Sequence, residues 1–177
     1  FGVRQHGDAL LVPMIDPGFR LWNVQRIYPD GRKLFLSGGR TEGLFWPHGA
    51  FRQDGRPSVG PLVIGEGYAT MAAVHHATGY GVVAAMSARN LETVARAMRK
   101  LFPSRALIVA ADDDRHLAEN IGLNAAQRAA ESIGARLATP LPLRQQARSA
   151  DSGAGFADIP TAEVAAGIAQ VGRDGHA

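Results

Sequence analysis

Three acids carry the chemistry this chain could do. Glu66 ends the apolar run Leu62-Val63-Ile64 between two glycines, and Asp112 and Asp114 follow the run Ala106-Leu107-Ile108-Val109-Ala110-Ala111. Alternate residues of an extended segment face one side, so Asp112 and Asp114 can converge while Asp113 points away. Like charges this close repel and raise one another's pKa unless a cation sits among them. Hard carboxylate oxygens with room for water and phosphate suit magnesium or manganese. Read singly, the bland alternatives are a Glu at an exposed turn and an Asp run capping a helix.

The elements that must position these acids are strands buried on both faces, which read as continuous β-branched runs. Four are expected, at 62–64, 81–86, 106–110 and 135–139. Helices over 68–78, 91–101 and 120–133 alternate with them, and Leu91, Val94, Ala95, Met98 and Leu101 keep helical spacing. Strand–helix alternation implies right-handed crossovers and a parallel sheet. If the first strand neighbours the third, in the order 2-1-3-4, Glu66 and the Asp pair meet at one switch point beyond the carboxyl ends of the strands.

The part before this alternation reads differently. Residues 9–15, 19–28 and 33–36 form three strands of a meander, with turn chemistry at Asp16-Pro17-Gly18 and Pro29-Asp30-Gly31. Gly55–Pro61 is rich in Gly and Pro and marks the boundary. Two domains follow: a β-rich basic subdomain over 1–57 and an α/β domain over 58–177. Residues 140–155 read as a loop and 162–171 as a terminal helix. The aromatics Trp22, Phe35, Phe45 and Trp46 occupy strand positions, where core packing is the commoner role. His75 and His76 lie mid-helix without a helically spaced partner ligand and read as packing or surface residues.

Composition narrows the class. The 177 residues include 46% hydrophobic residues, enough for a core. The absence of cysteine excludes a disulfide framework or a thiolate zinc site within the segment. No run is long and apolar enough to cross a bilayer, and a cytoplasmic location is expected. The chain begins at Phe1, which reads as a processed or excised piece. With 19 Lys+Arg against 16 Asp+Glu the pI is near 9.8. A mildly basic N-terminal part beside an acidic cluster suits a polyanion together with metal. Gly65-Glu66-Gly67-Tyr68-Ala69-Thr70 lacks both the third glycine of a dinucleotide fingerprint and the Gly-Lys-Ser/Thr of a P-loop. A receiver-like phosphoacceptor site would place its acid pair after the first strand rather than the third.

Taken together, Glu66-Gly67-Tyr68-Ala69-Thr70, Val83–Leu91, Ala111–Asp114 and Gly122-Leu123-Asn124-Ala125-Ala126 resemble the Toprim domain, in the form found in plasmid- and phage-encoded primases, including those attached to conjugation proteins. The resemblance covers about residues 60–140. Ala9–Asp16, Gln25-Arg26-Ile27 and Gly31–Leu36 are similar to the small subdomain that precedes Toprim in bacterial primases, and topoisomerases and small nucleases of the family lack it.

The resemblance implies an α/β fold, a Rossmann-like parallel four-stranded sheet with helices on both faces after a small β-rich subdomain. It implies a DNA primase core making short primers from NTPs on a single-stranded DNA template with Mg2+ or Mn2+. A helicase or relaxase in the same or a partner chain is an implied partner, and a membrane is not. Glu66, Asp112 and Asp114 match the catalytic acids. Arg26 and Lys33 match a basic pair facing the metal across a cleft, with Arg32 and Arg40 as further nucleic-acid or nucleotide contacts. The family's final acidic motif is reduced here to Gly155-Phe156-Ala157-Asp158, leaving Asp158 as a further metal ligand. That reduction keeps open a catalytically weak nucleic-acid-binding module, and the same acids would serve a metal-dependent nuclease.

Overall fold

The computed structural model describes residues 2–51, 58–112 and 121–139. Asp114, Asp158 and the expected helix at 162–171 lie outside the described residues.

The N-terminal part is an antiparallel meander of β1 (Arg4–His6), β2 (Ala9–Ile15), β3 (Leu21–Ile27) and β4 (Lys33–Phe35), paired in that order. Strand β1 is absent from the sequence expectation because Arg-Gln-His, exposed throughout, carries no hydrophobic alternation. The expected strand over 19–28 shortens to β3 because Asp16–Arg20 close on themselves. The Phe19 amide donates to the Asp16 carbonyl at 2.9 Å, and the Asp16 amide to the Arg20 carbonyl at 3.1 Å.

The second sheet has five strands in the order β5-β7-β6-β8-β9. Four are the expected parallel strands, β6 (Leu62–Gly65), β7 (Gly81–Ala84), β8 (Leu107–Ala110) and β9 (Arg136–Ala138), in the expected 2-1-3-4 order. The fifth, β5 (Trp46–His48), runs antiparallel along the outer side of β7. The four-stranded parallel sheet is as expected; this antiparallel strand adds to it and ties residues before 57 to the second sheet. A central Pro47 hides it from sequence patterning, and an edge strand is where proline can sit.

Helix α1 (Tyr68–Thr78) covers one face of this sheet; α2 (Ala88–Leu101) and α3 (Ile121–Ile133) cover the other. The strands bury residues of both parities, as strands covered twice must. Val63, Val82, Ala84 and Ile108 face Met71 and Val74 of α1, while Leu62, Ile64, Val83 and Val109 face Leu91, Val94 and Met98 of α2. The meander joins the α1 side through Val12 and Met14, which are fully buried with Trp46 and Leu44.

Candidate metal and nucleotide site

Strands β6 and β8 pair in parallel register, Ile64 opposite Val109. Both run out two or three residues later at an acid, which brings Glu66 and Asp112 to one edge of the sheet. The glycine after Glu66 makes the approach close. A Cβ built on Gly67 would lie 3.7 Å from Asp112 Oδ2 and 3.6 Å from Thr70 Oγ1. Gly67 also caps α1 in an extended conformation, φ −93° and ψ 143°, so any residue's backbone is tolerated there and the missing side chain is what matters. Glu66 and Asp112 are both half-buried.

Glu66 is fastened through its backbone. The Ala85 and Met86 amides donate to the carbonyls of Gly65 and Glu66, each at 2.8 Å, extending the β6–β7 ladder beyond the strands. Met86 makes this bond at φ 69°, a left-handed conformation that costs a non-glycine residue of order 1–3 kcal/mol. Gln25 Nε2 of β3 donates to the Met86 carbonyl at 3.4 Å, and Gln25 is buried. Asn90 at the start of α2 closes the same region. Its Nδ2 donates to the carbonyls of Leu44 at 2.8 Å and Ala85 at 2.7 Å, and its Oδ1 accepts from the Gly43 amide at 2.8 Å. The sequence reading quotes Gln25, Met86 and Asn90 within motifs but gives none of them a role. A signal for Gln25 existed: Asn23 and Gln25 stand two apart on one strand, and both face inward.

The basic residues divide between two faces of the meander. Ile27 pairs with Lys33 and Arg26 with Leu34. Cross-strand partners share a face and neighbours along a strand do not. Lys33 therefore lies on the face of Ile27 and Phe35, which pack on the core containing Val63 and Met71. Arg26 lies on the opposite face, in a lateral row with Leu11 and Arg4, and its Nε is buried with no hydrogen-bond partner. Arg32 pairs with Asp30 and stacks on the Tyr28 ring with its guanidinium carbon 4.8 Å from the centroid. The Arg32 hydrogen bonds hold the Asp30 carboxyl below its usual range. Arg40 lies 3.6 Å from Asp16 Oδ2 and 4.6 Å over the Trp22 ring.

Among the aromatics, Phe45 and Trp46 are buried and Phe35 is half-buried, but Trp22 is 48% exposed, contrary to expectation. The inward positions of β3 are taken by the amides of Asn23 and Gln25, which turns Trp22 outward. His75 shares a 2.7 Å hydrogen bond with the Tyr80 carbonyl through Nδ1 and meets the His48 ring edge-on at 4.3 Å; His76 is exposed.

A cavity of about 750 Å³ opens at the other end of the sheet, lined by Arg99, Arg105 and Arg136 among others. Arg105 donates there to the carbonyls of Gly60, Ala50 and Pro61 and to Ser58 Oγ, and Arg99 to those of Ile133, Pro103 and Arg105. These guanidiniums clasp loops and the end of α3.

Among the described residues no three His, Cys, Asp or Glu side chains form a metal-binding group. The described acids at the sheet edge are thus Glu66 and Asp112: two hard-oxygen donors beside a glycine that leaves one carboxylate oxygen approachable. This donor set fits a divalent cation that keeps several waters.

The Toprim domain family matches residues 61–165. DNA primase TraC of Escherichia coli is 38% identical over 141 residues, 77% of this chain and 10% of that protein. The chain thus spans about a tenth of the length of this relative. Solved structures that share the fold include two primase domains. The primase fragment of the bacteriophage T7 primase-helicase protein aligns with a TM-score of 0.55 at 14% identity, covering 76% of this chain and 54% of that one. A DNA primase domain from Pseudomonas aeruginosa aligns with a TM-score of 0.54 at 19% identity, covering 80% and 46%.

Proposed function

Since the chain belongs to the Toprim domain family, we propose that it is the catalytic core segment of a plasmid-type DNA primase, joining nucleoside triphosphates on a single-stranded DNA template. The observation that carries this reading is the convergence of Glu66 and Asp112 at the carboxyl edge of β6 and β8, with a primase-like meander packed against the same domain.

Glu66 and Asp112 would hold a divalent cation, Mg2+ or Mn2+, joined by Asp114 and Asp158 from outside the described residues. When bound, the cation offsets negative charge on the phosphoryl oxygens. Glu66 either contributes to that ligand set or takes the proton of the attacking 3′-hydroxyl as the new P–O bond forms and pyrophosphate leaves. Lys33, on the meander face turned to the second sheet, grips template or triphosphate; Arg26, Arg32 and Arg40 act from the remaining surface. The acids hold cation and 3′-end, and the basic residues hold the polyanion. A helicase or relaxase partner and a cytoplasmic setting accompany this reading. Among the described residues no helix is long and apolar enough to cross a membrane.

The test is template-dependent ribonucleotide incorporation with Mg2+ and with Mn2+, beside Glu66→Gln and Asp112→Asn. Incorporation by the wild type that falls to background in both variants supports the reading. Cleavage of the template without incorporation replaces it with a nuclease. Tight single-strand binding with neither activity replaces it with a binding module, the outcome that the reduced Gly155–Asp158 motif would favour.

A further inference from the structure

Strand β3 inverts the usual amphipathic pattern. Two of its three inward side chains are amides, Asn23 at 2% and Gln25 at 3% exposure beside Ile27, while Trp22 stands exposed at 48%. An ordinary half-buried strand does the opposite, because burying indole is favourable and burying an amide requires partners for every polar atom. The amides are provided for: Asn23 Nδ2 donates to the Arg40 carbonyl at 2.9 Å, and its Oδ1 accepts from the Leu36 amide at 3.1 Å.

The exposed tryptophan is also held in place. Its Nε1 donates to Asp16 Oδ2 at 2.8 Å. Asp16 is itself fixed by the Gly18 and Arg20 amides, which donate to Oδ1 at 2.9 and 3.0 Å. Arg40 completes the group, its guanidinium 4.6 Å over the indole and 3.6 Å from the same carboxylate oxygen. A merely tolerated surface tryptophan needs none of these ties. Fixing the ring in advance removes rotamer entropy that binding would otherwise cost.

The surroundings are basic. The outer face of the meander carries Arg4 and Arg26 in one lateral row with Leu11 and the exposed Leu34. Trp22 lies four residues from Arg26 along β3, about 13 Å at strand rise. The carboxylate beside Trp22, that of Asp16, is already engaged by the indole, two amides and Arg40. An exposed indole stacked by one guanidinium, with Arg4 and Arg26 farther along the same sheet, suits a strand whose bases offer π-faces and whose backbone is anionic.

We propose that Trp22 and Arg40, at the register shift that opens β3, form a stacking platform for bases of single-stranded DNA, with Arg4 and Arg26 farther along the meander following its phosphates. This rests on the reading of the chain as part of a template-copying protein. It adds a second contact area to that of Lys33, at the other end of β3.

The test measures anisotropy of a labelled oligothymidylate with the full chain, together with intrinsic fluorescence. The chain has two tryptophans, and Trp46 is buried. The expected results are three. Trp22→Ala weakens binding on the order of tenfold. Trp22→Phe keeps most of the affinity but abolishes the fluorescence quench that oligonucleotide causes in the wild type. Arg4→Ala, which removes a phosphate contact, lowers the slope of log K against log salt by roughly 0.7. Circular dichroism of each variant checks the fold. Wild-type binding left within twofold by Trp22→Ala overturns the platform while leaving the primase reading intact. A wild type that binds no oligonucleotide at low salt overturns both.

Discussion

The amide of Met86 donates to the carbonyl of Glu66 at 2.8 Å, and it does so from a left-handed backbone held on its far side by Gln25. Glu66 is thus positioned by a bond from the neighbouring strand's exit, and that exit is steadied by the meander. Gln25→Leu removes the donor to the Met86 carbonyl. The bond is long at 3.4 Å, so the expected cost is at the low end for a buried acceptor, about 1 kcal/mol. Urea unfolding measures that cost, and calorimetric titration with Mn2+ is expected to show weaker binding than the wild type.

Gly67→Ala separates folding from cation binding. Its backbone angles suit any residue, and the new methyl would sit 3.6–3.7 Å from Thr70 Oγ1 and Asp112 Oδ2, in ordinary contact. The melting temperature is expected to stay within a few degrees, while divalent-cation affinity falls because one carboxylate oxygen is screened. Unchanged affinity would remove Gly67 from the site.

Asn90→Asp is expected to be worse than Asn90→Ala. Two of the three bonds are donated by Nδ2 to carbonyls, so a carboxylate would turn negative oxygen towards two acceptors in a buried place. The alanine variant is expected to lose about 2 kcal/mol and the aspartate variant about 3 kcal/mol or more. Equilibrium unfolding of the pair decides the order.

His48 gives the pH response. Partial desolvation of a ring that still reaches the surface, and then the neighbouring His75 ring, hold its pKa below the ordinary 6.5. The unfolded chain therefore binds this proton more readily than the folded one. Stability is full above about pH 6.5, falls as pH drops towards the folded pKa, and levels off below it. His48→Gln is expected to flatten that part of a melting-temperature profile. The Asp16 carboxyl acts lower on the scale. Held down by the Arg20 amide, the Trp22 indole and Arg40, it contributes stability above its unfolded value of about 3.8 that is lost as pH falls through the lower folded value.

The sequence makes the parallel sheet legible because strands covered on both faces must be apolar at every position, as 62–64 and 107–110 are. The order 2-1-3-4 enters the sequence reading as a condition, and the pairing of β6 with β8 within it is what lets Glu66 and Asp112 meet. The edge strand Trp46–His48 is illegible because three residues with a central proline have no period. The separation of Arg26 and Lys33 onto opposite faces depends on register, Ile27 against Lys33, which turn length sets and composition does not. Trp22 misleads because the inward role on its strand goes to amides whose partners are backbone groups far along the chain.

Strand β5 binds the first fifty residues to the second sheet more firmly than a linker would. The β7 edge is covered by Trp46–His48, whose partners are Ala84, Val83 and Val82. A shortened protein beginning at residue 58 would bare that edge, a row of unpaired amides and carbonyls beside an apolar strand, and such an edge recruits other chains. Solubility of the α/β part is therefore lent by the part before it, and the roles of the two parts are better separated by point substitution than by cutting.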